Sequence, residues 1–191
     1  MVAGVVRRLP VNGILAGAGA LVLGVAGLFG GLAPAARPAP PALAAGSAID
    51  GGPWRVTLQQ VRLYDELQPL THNKPGDRWI LVLATVEVTT DASRGDMYDI
   101  IRLAGVSGLR TEEPERVLLA RDGTIVSNLN PRMPERLGYF WEQAPDAPAP
   151  TGLDVRVYGK TQRIDTLTGH LEWLDLAVRA QAHLPVDDRR R

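Results

Sequence analysis

The chain has no cysteine. That excludes disulfides, thiolate nucleophiles, cysteine-ligated zinc and iron–sulfur clusters together, and with them the lipid-modified cysteine of a bacterial lipoprotein. A domain of about 140 residues buries enough surface to stand without cross-links, so the lack of cysteine is compatible with export. Lysine is nearly missing too: Lys74 and Lys160 stand against 19 arginines. Acidic residues are absent from the first 47 positions, which carry Arg7, Arg8 and Arg37. All 21 acids therefore fall in residues 48–191, which have a net charge of −3. Such a domain lacks the basic face that nucleic acid requires.

What the N-terminus does have is a long apolar run. Ile14 to Leu32 is 19 consecutive residues drawn from Ile, Leu, Val, Ala, Phe and Gly. As a helix it reaches roughly 28 Å, close to the hydrocarbon thickness of a bilayer. Arg7 and Arg8 before it place residues 1–13 in the cytoplasm and the chain beyond it outside. Ala42-Leu43-Ala44 fits a signal-peptidase triplet, but the run is longer than a secretory apolar region and the triplet lies well past its end. An uncleaved transmembrane signal anchor over 14–32 is the expectation, with a secreted protein the outcome if the triplet is cut. The Arg7-Arg8 pair lacks the flanking pattern of a twin-arginine signal and is followed by Pro10. Gly13/Gly17, Ala20/Gly24 and Gly27/Gly31 have small-xxx-small spacing, which permits a homodimer through this helix. Residues 33–47 form an Ala/Pro-rich stalk, which Pro34, Pro38, Pro40 and Pro41 keep extended to at most roughly 45 Å.

From Ile49 the periodicity changes to two. Trp54, Val56 and Leu58 alternate with polar residues, Gln59-Gln60 interrupts, and Val61 and Leu63 resume; the doubled Gln predicts a β-bulge. Tyr64 to Gly76, with Pro69, Asn73 and Pro75, reads as a loop. Arg78 to Thr89 is apolar on both faces, as a central strand is. Ile100 to Val106 is a short strand. Asp122-Gly123 predicts a two-residue hairpin between Arg116–Arg121 and Thr124–Leu129. Further strands are expected over Arg136–Glu142, around Leu153–Val157 and over Val178–Leu184, while Thr168–Leu176 reads equally as helix or strand. Residues 186–191 are a charged, frayed tail. Eight or nine short strands without an amphipathic helix predict an all-β sandwich or barrel over 48–185.

Pro53-Trp54-Arg55-Val56, then Gly76-Asp77-Arg78-Trp79 leading into an apolar strand, and Pro131 to Pro134 ahead of Gly138-Tyr139-Phe140-Trp141-Glu142 together carry a resemblance. The layout resembles the immunoglobulin-like domain of many exported, mostly uncharacterised proteins of Gram-positive bacteria, over roughly residues 50–185. It departs from that family at Glu135, where a glycine often follows the proline. The resemblance implies an immunoglobulin-like antiparallel β-sandwich and no catalytic site.

Groups for chemistry are scattered. Ser93, Ser107 and Ser127 lie outside any G-x-S-x-G turn, and His72, His170 and His183 are far apart in sequence. Asp91, Asp96 and Asp99 share one loop, but their spacing is not that of an EF-hand and Arg94 sits among them. His170, Glu172 and Asp175 make at most a partial metal set. Nothing selects two of the many carboxylates, Glu112, Glu113 and Glu115 included, as a glycosidase pair. No catalytic, metal or cofactor residues are therefore assigned. Tyr139, Phe140 and Trp141 are consecutive, so alternation separates Phe140 from the other two. Tyr139, Trp141 and Trp173 are the candidates for an exposed partner-binding patch. The expected protein is a non-enzymatic accessory or scaffold domain at the cell membrane, serving an envelope complex such as a transporter or secretion system. A sensor of small molecules or glycans at the envelope is the alternative.

Overall fold

The alternation at Trp54, Val56 and Leu58 does produce a strand in the computed structural model, which describes residues 39–44 and 46–190. The segments 1–13 and 14–32 and most of the stalk lie outside the described residues. Among the described residues no helix is long and apolar enough to cross a membrane. The strands are β1 (Ala48–Asp50), β2 (Trp54–Tyr64), β3 (Arg78–Val88), β4 (Ile101–Ala104), β5 (Arg116–Leu119), β6 (Glu135–Gln143), β7 (Gly152–Ile164) and β8 (Leu171–Asp188). The described residues hold one short 3₁₀ turn, Met97–Asp99.

The protein is an all-β sandwich. One sheet is built on β2, β3, β6 and β5 in that order, the other on β4, β7 and β8. The free edge of β2 is shared: β1 pairs with Arg55–Thr57, and the end of β8 pairs in parallel with Val61–Leu63. β8 therefore changes sheets just after Pro185, which has no N–H to give β7. Val186–Asp188, expected in the charged tail, are strand residues for that reason, and Arg189 N–H still reaches Leu63 O at 2.9 Å.

The bulge falls at the doubled Gln, where the register shifts between Leu58 and Gln60. Without that extra residue, Val61 and Leu63 would point to solvent; with it, both are fully buried beside Trp54, Val56 and Leu58. The core lies between the sheets. Ile80, Val82, Ala84 and Val86 of β3, with Leu137, Tyr139 and Trp141 of β6, face Leu153, Val155 and Val157 of β7 and Ala180, Ala182 and Leu184 of β8. β3 is central, between β2 and β6, as its two apolar faces predicted.

The turn at Asp122-Gly123 differs from the expected two-residue hairpin. Leu119 N–H bonds Thr124 O at 2.8 Å, closing a four-residue loop in which only Gly123 takes a positive φ, 72°. The Asp122 carboxylate accepts Thr124 N–H at 2.9 Å instead of adopting the left-handed conformation itself. The returning stretch bridges β5 only at Ile125 and then leaves to pair Leu129 with Arg94, so it is not a full strand. Thr168–Leu176, open between helix and strand, belongs to a long β7–β8 hairpin. Pro41 to Leu43, read as stalk, lie along β8: Gln181 N–H donates to Pro41 O at 3.0 Å and Leu43 N–H to Gln181 O at 2.9 Å.

Candidate functional site

A strand with apolar residues on both faces needs two covers. The inner face of β3 has the core; its outer face carries Trp79, Leu81 and Leu83, which with Leu118 of β5 and Phe140 of β6 form a second apolar cluster. Cross-strand register places Phe140 beside Leu81 and Gly138 beside Leu83. Gly138 is the low point: a Cβ there would lie 2.9 Å from Phe140 Cε2 and 3.1 Å from Leu81 Cδ1. Tyr64, at the end of β2, and Leu67 and Leu70 of the loop after it pack over one side of this face. Leu119, Ala120 and Gly123 bound the other side, and Arg62 and Arg136 sit at the rim. The result is a groove of about 330 Å³ with an apolar floor and two guanidinium groups at its edge.

The wall formed by the loop is pinned from beneath. His72 stacks on Trp79 with ring centroids 4.9 Å apart, and Trp79 meets Phe140 edge-on at 6.1 Å. Asn73 N–H donates to Oε1 of the fully buried Glu142 at 2.7 Å. Arg110 grips Asp77 through two hydrogen bonds of 2.6 Å, and this contact holds the Asp77 carboxyl below the usual carboxylate range. Arg78 donates to the carbonyls of Ala144 (3.0 Å) and Pro145 (3.2 Å), as well as to that of Ala147. A loop that spends buried charge on its base holds a defined wall.

The aromatic candidates divide. Tyr139 and Trp141 point into the core, fully buried, with ring centroids 6.4 Å apart. Burial pushes the Tyr139 phenol well up. Neither ring is available to a partner, which corrects the expectation for both. The reason is parity: Leu137 faces inward, so 139 and 141 follow it and Phe140 turns outward into the groove. Trp173 lies in the outer part of the β7–β8 hairpin, half-buried, its ring against Gly52.

The polar candidates do not converge. In the loop 91–99, the Lys160 ammonium sits between Asp96 (2.7 Å) and Asp99 (3.0 Å), and Asp91 pairs with Arg132. Arg94 also grips Asp96, and both cations lie over the Trp54 ring, at 5.5 and 5.6 Å. Burial raises the Asp96 carboxyl, but the hydrogen bonds from Arg94 and Lys160 outweigh it and hold the group low. Lys160 was invisible to a reading by spacing because it is distant in sequence. Asp175 pairs with Arg163, and Glu172 meets the Thr168 hydroxyl, away from any shared centre. Among the described residues no three His, Asp or Glu side chains group as metal ligands. His183 Nδ1 lies 2.9 Å from Asp154 Oδ1, in a cleft that Ser107 also lines. No hydrogen bond joins the Ser107 hydroxyl to that imidazole among the described residues, so the nucleophile–base contact of a hydrolase is not made.

No family model matches the chain, and no curated protein matches it. Among solved structures it is similar to an uncharacterised β-sandwich protein from Clostridium difficile 630, at 8% identity and a TM-score of 0.46, over 78% of this chain and 95% of that one.

Proposed function

We propose that this protein is a membrane-anchored, immunoglobulin-like β-sandwich held outside the cytoplasmic membrane, where it serves as a non-enzymatic accessory or scaffold for an envelope membrane complex such as a transporter or secretion system. The observation that carries the binding role is the outer-face groove. It is lined by four apolar side chains turned away from the core, Leu81, Leu83, Leu118 and Phe140, with Gly138 beside them. A partner offering an apolar segment with an acidic end would meet the floor and the Arg62 and Arg136 rim together.

The anchor reading draws support from the placement of the cleavage triplet. Leu43 packs against the core, and its backbone joins the β8 edge. A chain cut after Ala44 would lose that backbone pairing and expose the edge of β8 at Gln181. The alternative, a small-molecule sensor, is favoured by the groove volume, which falls at the lower end for ligand pockets.

The test is cross-linked purification of the full chain from its native membrane, with partners and the N-terminus identified by mass spectrometry. Recovery of one integral-membrane complex with residues 1–32 retained is the expected result. A soluble chain that begins near Ala45, without partners, overturns both the anchor and the accessory role.

A further inference from the structure

β7 and β8 outrun the sandwich. β4 leaves β7 at Val157, and past Lys160, whose N–H bonds Gly51 O at 2.9 Å, the two strands pair only with each other, from Thr161↔Leu174 to Ile164↔Leu171. Ile164 and Leu171 face each other across the pair and so share one side of this arm, and Leu167 stands in the turn between them. The three are 63%, 62% and 94% exposed, and no large hydrophobic side chain elsewhere in the described residues is as exposed. Around them, residues 163–175 set one guanidinium, Arg163, against three carboxylates, Asp165, Glu172 and Asp175, a net charge of −2. Arg163 pairs with Asp175. Asp165 accepts only backbone N–H groups and Glu172 only the Thr168 hydroxyl, so neither has a paired cation among the described residues. The arm ends in a knob that is apolar and acidic.

The groove on the other sheet has the complementary character. Its floor is Leu81, Leu83, Leu118 and Phe140, and the charged side chains that line it are Arg62 and Arg136, with no carboxylate among them. Arg136 is exposed, and its guanidinium makes no hydrogen bond or ion pair among the described residues. Arg62 has only long contacts, 3.4 Å from Nη1 to the Tyr64 hydroxyl and 3.7 Å from Nε to Asp187, and that Nε is buried without a hydrogen bond. Two cations at the groove lack full partners, as two carboxylates on the arm do.

One copy does not make this contact with itself. The arm grows from the sheet of β4, β7 and β8 at the end where Gly51 and Gly52 lie, and the groove is on the outer face of the other sheet, with the core between them. A groove that fits the arm therefore fits the arm of another copy. Because the two surfaces are unlike, each copy brings one arm and one groove, and such a contact either closes into a ring or extends as a row.

We propose that the groove is filled by the β7–β8 arm of a second copy of this chain, with Ile164, Leu167 and Leu171 against the floor and Asp165 and Glu172 beside Arg62 and Arg136. This rests on the reading of the groove as a partner-binding surface and names the partner at that site. Apolar contact at the centre with opposite charges at the rim excludes water from the first and gives the second its register. The scaffold is then built of linked copies.

The absence of cysteine makes the test direct. One full-length chain carries Leu167→Cys, and a differently tagged one carries Ala120→Cys at the groove edge; the two are mixed in detergent and oxidised. The expected result is a disulfide-linked pair between positions 167 and 120, and none between 167 and His183→Cys, which is exposed on the sheet away from the groove. Arg136→Glu in the Ala120→Cys chain, or Glu172→Arg in the Leu167→Cys chain, should each lower the yield by about tenfold or more, and the two together should restore it. Equal adducts at 120 and 183, single substitutions without effect, or no recovery in the combined variant overturn the contact. Where no adduct forms at 120, photo-crosslinking from position 136 in the native membrane separates the two failures. An adduct there with a different membrane protein overturns the arm as occupant and leaves the groove reading in place; no adduct overturns both.

Discussion

Replacing Gly138 by alanine asks whether the floor of the groove is open, and Gly159 supplies the contrast. Neither glycine has a positive φ, so alanine fits both backbones, and the loss of unfolded-state freedom favours each variant by about 0.4–1 kcal/mol. The new methyl decides the rest. At Gly138 it meets Phe140 Cε2 at 2.9 Å and Leu81 Cδ1 at 3.1 Å, both far ends of side chains that line the groove and can shift where a backbone atom cannot. At Gly159 it meets Gly51 O at 2.5 Å and Gly51 Cα at 2.7 Å, which are backbone atoms that Lys160 N–H holds in place. Overpacking costs about 1–3 kcal/mol, with the upper end where nothing yields. Gly138→Ala should therefore lie within about 1 kcal/mol of the parent and Gly159→Ala about 3 kcal/mol below it. Urea unfolding of the detergent-solubilised chain, followed through the buried Trp54, Trp79 and Trp141, reads both as shifts in midpoint at constant slope. If Gly138→Ala falls as far as Gly159→Ala, the floor is a closed, packed layer and the groove is not a binding surface.

Asp77→Asn should cost about 1.5–3 kcal/mol at pH 7, since the buried carboxylate accepts two charge-assisted bonds from Arg110. Because the folded-state pKa of Asp77 is depressed, its contribution is full above the unfolded value near 3.8 and fades as pH falls through the lower folded value. Urea midpoints of parent and variant should therefore converge in acid, and a gap that persists at low pH contradicts the assignment. Lys160→Met leaves Asp96 and Asp99 facing each other without their shared cation; with both partly solvated, the cost should be about 1–2 kcal/mol, less than for a fully buried pair, measured by thermal unfolding. An unchanged melting temperature would show that Arg94 alone satisfies Asp96. A fluorophosphonate probe should leave the chain unlabelled, because Ser107 has no base within bonding reach, and labelling at Ser107 would contradict the non-enzymatic reading.

Much of the sandwich is legible in the alternation, because burial on one face leaves a period-two trace. The doubled Gln at 59–60 marked the bulge, and the two-faced apolar run of β3 marked the central strand. That the outer face of this run, with Leu81 and Leu83, would form a second apolar cluster bordering a groove was not read from the sequence, because the cover comes from a loop and from β5 and β6 far along the chain. Other features leave no such trace. The choice between Tyr139/Trp141 and Phe140 depends on which parity faces the core, and three adjacent aromatics carry no phase of their own. Thr168–Leu176 was ambiguous because none of its residues is fully buried, Trp173 included, so no buried face imposes a period. Lys160 reaches Asp96 and Asp99 only through the fold, and the pairing of Pro41–Leu43 with β8 hides behind a proline-rich composition that suggests a free tether.

The account is tested most directly by photo-crosslinking from defined positions of the full chain in its native membrane. A photoreactive amino acid is placed at Arg136, on the groove rim, and in a second chain at His183, exposed on the opposite sheet. The account predicts one adduct from position 136 with an integral-membrane protein, lost when Gly138→Val fills the floor, and none from position 183. Equal adducts from both positions, or none from a chain that stays in the membrane, would contradict it.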